Sequence, residues 1–390
     1  MKPLDGITVV ELATYAAAPA CGRILLEQGA RVIKIESGKT GDVYRYIGRV
    51  FGDPITKDEN PIYDIFNADK EDISLNLKDS ADRNKFMALL KKADVLLTNY
   101  RHAALVKLGV DYETLKVKFP ELIYARIVGY GEKGPKAEFP AFDTVAMFAE
   151  CGFMQDMVVE TEGTYPLYLP MAVGDLACGT MLAGAIGTAL YGRSKTGHGD
   201  YVSVSIYGTG LWLFGFMSMS TQYGYKFPKT RYEGSPLGIP YKTKDNKWIF
   251  ACINEYDRYW KPYCEAFGAY DLIDDPKFCT REATFIPENR KECIKRFEGY
   301  AARKTAEEIG EKLERGDIIY TVLKHFKDNH SSEQALLNGY LIRHTYPSGK
   351  EITMAMPGVY LKSAGKPSGF GRHHEIGEDN DAVFRDFGVG

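Results

Sequence analysis

Strand-like runs that alternate with helical stretches over the first third of the chain leave few folds open. Residues 7–12 (ITVVEL) are β-rich, residues 16–28 have helical composition around Pro19, and residues 31–36 (RVIKIE) alternate as a second strand. This is a β-α-β unit. Two more follow, with residues 95–98 (VLLT) after a helical run over 81–92 and residues 122–128 (LIYARIV) after 112–119. Parallel strands need long crossovers, so the pattern predicts an α/β fold with a parallel sheet. A chain of 390 residues exceeds one ordinary domain. The Gly-, Pro- and Lys-rich stretch QYGYKFPKTRYEGSPLGIPYKTKDNKWIF places a boundary near residue 220. A large domain is expected over 1–220, a linker and smaller α+β domain over 221–330, and a C-terminal segment over 331–390 that returns to the large domain.

Composition narrows the function. A net charge of -3 argues against nucleic acid as the main ligand, because phosphate-backbone binding needs a basic excess. The N-terminal MKPLDGITVVELA has no apolar run of signal length, and no segment reaches the ~18 uninterrupted apolar residues of a membrane span. A cytoplasmic protein without a membrane partner is expected. Seven scattered cysteines with no Cys-x-x-Cys pair fit reduced thiols, and neither a disulfide framework nor a zinc site. His373 and His374, adjacent in a Gly- and charge-rich segment, read as a solvated loop, so no metal is expected.

Residues 168–187 (YLPMAVGDLACGTMLAGAIG) hold the most suggestive carboxylate. An apolar approach (Leu169, Met171, Val173) meets Gly174–Asp175 and then a small-residue helical run, which puts Asp175 in the first turn of a close-packed helix. Unpaired N–H groups and the helix dipole favour an ionised carboxylate there. An N-cap and a reacting group are both open at this point. Among Lys34, Lys39, Arg45, Lys70 and Arg101, near predicted strand ends, Arg101 is favoured because it directly follows a strand in LLTNYR. Glu36 ends the second strand, where dinucleotide-binding folds keep a ribose-binding acid. The turn after the first strand, ATYAAAPACG, lacks G-x-G-x-x-G, which counts against an NAD-dependent oxidoreductase.

Eight blocks in register, among them PLDGITVVELATYAAAPACGRILLEQGARVIKIES, ADVLLTNYR, FDTVA, GDLACG, KTGHGDYVSVSIYG and IGEDNDAVFRDFG, resemble the class III CoA-transferase (CaiB/BaiF) family. NADKEDISLNLK, YRHAALVKLGVDYETLK and GYGEKGP are most similar to the transferases that hand CoA to 2-hydroxy acids in amino-acid fermentation, the phenyllactate and 2-hydroxyisocaproate types. The resemblance implies a Rossmann-like large domain, a smaller domain, and an interlocked ring-like homodimer. It implies Asp175 as the nucleophile, with Lys70 and Arg101 contacting CoA, Ala18 and Glu36 lining its nucleotide end, and Asp143 near the reacting centre. Coenzyme A would be substrate and product, with no tightly bound cofactor.

Three departures matter. A second basic residue has become Glu71, a near-terminal His has become Asp379, and the glycine loop is only partly present, in residues 233–240. An α-methylacyl-CoA racemase would carry a His where Phe142 stands, and Phe cannot act as a base. A carboxylate can instead pass CoA between acids through a mixed anhydride and an aspartyl thioester. Backbone N–H groups near Gly174 would stabilise the oxyanions, and residues 233–240 are the candidate lid. Phe142, Met147, Phe148 and Phe153, with Leu237, Ile239 and Tyr241, are expected to offer apolar surface to the acid.

Overall fold

The computed structural model describes every residue except 39, 159–165, 167–171, 366–369 and 390. Lys39, Leu169 and Met171 therefore lie outside the described residues. Two compact units divide the chain: Met1–Phe153, Tyr168–Tyr223 and His330–Gly390 make the first, Met154–Leu167 and Gly224–Asn329 the second.

In the first unit the chain runs β1 (Thr8–Leu12), α1 (Ala17–Glu27), β2 (Arg31–Glu36), α2 (Pro61–Asn67), β3 (Glu71–Ser74), α3 (Ser80–Leu90), β4 (Val95–Thr98), α4 (His102–Leu108), α5 (Tyr112–Lys118) and β5 (Ile123–Val128). After a π-helical turn at Thr144–Ala149 and α6 (Phe153–Asp156), whose last three residues belong to the second unit, come α7 (Val173–Thr196), β6 (Tyr201–Ser205), α8 (Ile206–Leu213) and α9 (Gly215–Thr221). Six strands pair in parallel in the order β3-β2-β1-β4-β5-β6. Strand order reverses between β1 and β4, the doubly wound arrangement in which ligands enter at the carboxyl ends of the strands. β1, β4 and β5 are buried along nearly their whole length, as a sheet covered on both faces requires.

The small residues of α7 answer to packing. A Cβ on Gly179 would stand 2.6 Å from the Ala17 carbonyl oxygen and 3.1 Å from Ala20 Cβ, so the glycine lets α7 lie against α1. With 24 residues and charges confined to its ends, α7 is long and apolar enough by length and composition to cross a bilayer. Its inner face, through Cys178, Leu182 and Ile186, is instead core of the unit.

The second unit has its own core. β7 (Tyr241–Lys242), β8 (Trp248–Ala251), α10 (Tyr256–Phe267), α11 (Pro287–Ala301), α12 (Ala306–Arg315) and β9 (Tyr320–Val322) enclose Tyr241, Tyr256, Trp260, Tyr263, Phe267 and Phe297. The hairpin joining β7 to β8 turns through Asn246 at φ 61°. Leu237 is fully buried, and Tyr241 Oη donates to the Pro236 carbonyl at 2.8 Å, so residues 233–240 are tied into this core.

The tail contributes α13 (Glu333–Leu337), an antiparallel hairpin of β10 (Leu341–Thr345) and β11 (Glu351–Ala355), and α14 (Asn380–Phe387). α14 buries Val383 and Phe387 in the core beside β3. The outer edge of β3 is closed by tail side chains: Asp72 N–H donates to Asp379 Oδ2 at 2.7 Å and Ser74 N–H to Asn380 Oδ1 at 2.9 Å. Nor is the histidine pair a solvated loop. His373 is buried with Nδ1 2.6 Å from Asp64 Oδ1, and His374 Nδ1 is 2.6 Å from Asp379 Oδ2. Among the described residues no cluster could hold a metal ion.

Candidate active site

A cavity of about 340 Å³ opens where the strand order reverses. Thr14 and Tyr15 reach it from the end of β1, Asn99, Tyr100 and Arg101 from the end of β4, and Gly129 from the end of β5. Phe139, Pro140, Ala141, Phe142 and Asp175 are also part of its wall. The two central loops are stitched together: Thr14 N–H donates to Asn99 Oδ1 at 3.1 Å, and Asn99 Nδ2 donates to the Thr14 carbonyl at 2.6 Å.

Asp175 lies in the first turn of α7, after Ala172 at φ 70°, and does not cap it. Asp143 does. Its Oδ2 accepts from Gly174 N–H at 2.9 Å and its Oδ1 from Thr144 N–H at 2.8 Å, so one buried carboxylate serves two helical starts. Gly174 permits this approach, because a Cβ there would be 2.7 Å from Asp143 Cβ and 2.9 Å from Met147 Sδ. The Gly174 N–H is thereby occupied and is not free to stabilise an oxyanion. The Asp175 carboxyl has no hydrogen-bond partner among the described residues. Burial, and then the charge of Asp143, push it from 3.8 up to about 7. Burial and Asp143 thus work against the ionised form that the start of the helix was expected to favour.

Residues 4–380 match CoA-transferase family III. The chain belongs to this family. It is 37% identical over 389 residues to the cinnamoyl-CoA:phenyllactate CoA-transferase of Clostridium sporogenes, covering 98% of this chain and 93% of that one. It is 34% identical over 364 residues to the (R)-2-hydroxy-4-methylpentanoate CoA-transferase of Clostridioides difficile, covering 93% and 90%. A solved CaiB/BaiF family protein from Brucella suis superposes with a TM-score of 0.82 at 25% identity, over 99% of each chain.

In this class III CoA-transferase the residues singled out from sequence part into two groups. Arg101 and Asp175 line the cavity, and Asp143 accepts from the N–H of Gly174, the residue before Asp175. Ala18, Glu36 and Lys70 are buried and do not line it. Lys70 Nζ donates to Glu11 Oε2 at 2.8 Å, the Pro19 carbonyl at 2.9 Å and Asn67 Oδ1 at 3.2 Å, which uses all three of its protons. Burial lowers its pKa to about 8 against the pull of Glu11. Glu36 is held by Arg45 Nη2 at 2.7 Å, Tyr63 Oη at 2.6 Å and Asp42 N–H at 2.6 Å. Glu71 pairs with Arg31 at 2.6 and 2.8 Å.

The buried charges reach the wall of the transferase's cavity through Asp42. Glu11 joins Lys70 to Lys34 (3.3 Å), Lys34 reaches Asp42 Oδ2 (3.0 Å), and Asp42 Oδ1 accepts from both Tyr15 N–H and Tyr44 N–H at 3.0 Å. Asp42, Asn99, Tyr15 and Phe139 were not legible as site residues. Asn99 carried the signal of lying two residues before Arg101 after a strand end. Of the apolar surface expected for the acid, Phe142 lines the cavity, whereas Met147, Phe148, Leu237 and Tyr241 are core. They fill helix and sheet interiors instead of facing a ligand.

Proposed function

We propose that this transferase moves CoA from an acyl-CoA thioester to a 2-hydroxy acid, with Asp175 as the covalent carrier. The observation that carries this reading is the Asp175 carboxyl, which faces the cavity without a hydrogen-bond partner among the described residues while the neighbouring Asp143 spends both of its oxygens on the backbone. The relatives that act on phenyllactate and on 2-hydroxy-4-methylpentanoate support the acid class.

The ionised Asp175 oxygen attacks the thioester carbonyl, the C–S bond breaks, and CoA thiolate leaves a mixed anhydride behind. The thiolate then attacks the Asp175 carbonyl and releases the donor acid. The acceptor carboxylate attacks this aspartyl thioester, and the expelled thiolate resolves the second anhydride at the acceptor carbonyl, which regenerates Asp175. Each step is an oxygen or sulfur attack at a carbonyl, with CoA as the only carrier of the thiol. Arg101, exposed at the cavity and without an ion-pair partner among the described residues, is suited to a phosphate of CoA. The apolar side chains that α7, α8 and α9 expose, including Met181, Trp212 and Phe216, support a homodimer in which a second copy covers them. A monomer in sedimentation at micromolar concentration would count against that assembly.

The test of the mechanism is trapping. Incubation with acyl-CoA followed by hydroxylamine or borohydride should modify the peptide containing Asp175. Asp175→Asn should lower exchange by ~10³-fold or more, and a folded Asn variant that exchanges at the wild-type rate refutes the assignment.

A further inference from the structure

Tyr15 has φ 64°, a left-handed backbone that bulky aromatic residues rarely adopt. Groups distant in sequence hold it there. Its own N–H donates to Asp42 Oδ1 at 3.0 Å, and the Asn99 amide grips both backbone groups of the preceding Thr14. Asp42 is itself fixed, because its other oxygen accepts from the buried Lys34 ammonium at 3.0 Å. This bracing does not send the ring into the core. The side chain is left 38% exposed on the cavity wall, edge-on to Phe142 with ring centroids 5.3 Å apart. Phe142 directly precedes Asp143, which bonds the residue next to Asp175, so the aromatic pair stands beside the reacting carboxyl. A strained backbone persists where its surroundings over-determine it, and such residues cluster at ligand clamps.

We propose that Tyr15 is a specificity-determining residue for the acceptor acid. Its ring, braced by Phe142, is the wall that takes an aromatic or branched side chain, and Asp42 is a positioning residue that acts through it. The inference rests on the reading of Asp175 as the reacting carboxyl. A ring edge and face offered to a ligand favour planar or branched hydrocarbon over a methyl group, because more apolar area leaves water on binding.

The experiment uses the full chain, one acyl-CoA donor, and phenyllactate, 2-hydroxy-4-methylpentanoate and lactate as acceptors. Its readout is the ratio of kcat/KM for each larger acid to that for lactate, which cancels the fraction of enzyme that is folded. Tyr15→Ala and Tyr15→Gly should shrink the ratio by about tenfold or more. Tyr15→Phe should keep it within about threefold. Asp42→Asn should shrink it by less than Tyr15→Ala does. Glycine adopts this backbone freely, so Tyr15→Gly should lose discrimination without losing thermal stability. Rates that fall together with the ratio unchanged in Tyr15→Ala overturn the inference, as does a Tyr15→Phe variant as impaired as Tyr15→Ala. If wild type transfers CoA to none of the acids, the transferase reading for 2-hydroxy acids fails and the inference with it, whereas transfer with unaltered ratios sinks the inference alone.

Discussion

Replacing Asp175 with Asn should abolish CoA exchange and at the same time stabilise the protein above neutral pH. In the fold the carboxyl is pushed from 3.8 to about 7, first by burial and then by Asp143. The folded state therefore holds this proton more tightly than the unfolded chain, and stability falls as pH rises from about 4 to about 7. Above that window the whole cost is present. At about 1.4 kcal/mol per pH unit the ceiling is about 4 kcal/mol. Water in the cavity screens the charge, and halving the figure leaves about 2 kcal/mol. Asn also gives up the favourable interaction of an anion with the start of α7, roughly 0.3–1 kcal/mol. Desolvation wins. The net gain at pH 8 is about 1–2 kcal/mol, a rise of a few degrees in Tm. Thermal unfolding of both proteins at pH 8 and at pH 4.5 checks it, with the gain shrinking toward zero at the lower pH. An Asn variant less stable than wild type at pH 8, or equally stabilised at both pH values, refutes the reasoning.

The same carboxyl predicts the pH profile: log kcat/KM should climb with unit slope below about pH 7 and level off above it, and Asp143→Asn should move the bend to lower pH. A profile flat from pH 5 to 8 would contradict this. Gly174→Ala should cost about 1–3 kcal/mol together with most of the activity, because its Cβ would drive Asp143 and Met147 apart; denaturant midpoints alongside exchange rates measure both. Glu11→Gln should cost about 3–5 kcal/mol, since it leaves Lys70 and Lys34 short of their shared buried counter-ion. Substituting Glu11 and Lys70 together with apolar residues should recover much of that loss, and a double variant no more stable than Glu11→Gln would argue against the pairing.

The β-α-β order, the parallel sheet and the place of Asp175 were legible because each depends on residues near one another in sequence. The fate of a charge was not. Glu36 ends β2 like a ligand-binding residue and Lys70 directly precedes β3, yet Lys70 meets Glu11, 59 positions away, and His373 meets Asp64, 309 away. A lysine aimed at a phosphate and one aimed at a buried carboxylate read alike until the fold supplies the partner. β3 was missed for a related reason: EDIS has three polar residues in four, and two of its backbone donors are satisfied by Asp379 and Asn380. Asp143 was recognised as an acid near the centre. That it would cap two helical starts required Gly174 to come within 3 Å, which no local pattern encodes.

The seal on β3 also sets an order of events during synthesis. Asp379 follows Asp72 by 307 residues, so at ribosomal rates of about 5–20 residues per second the nascent sheet waits roughly 15–60 s for its cover. During that interval β3, paired with β2 on one side, presents unpaired N–H groups on the other to any neighbouring chain. The polar face of EDIS, an aggregation liability avoided rather than a weak strand, lets the unfinished enzyme wait for its own last helix.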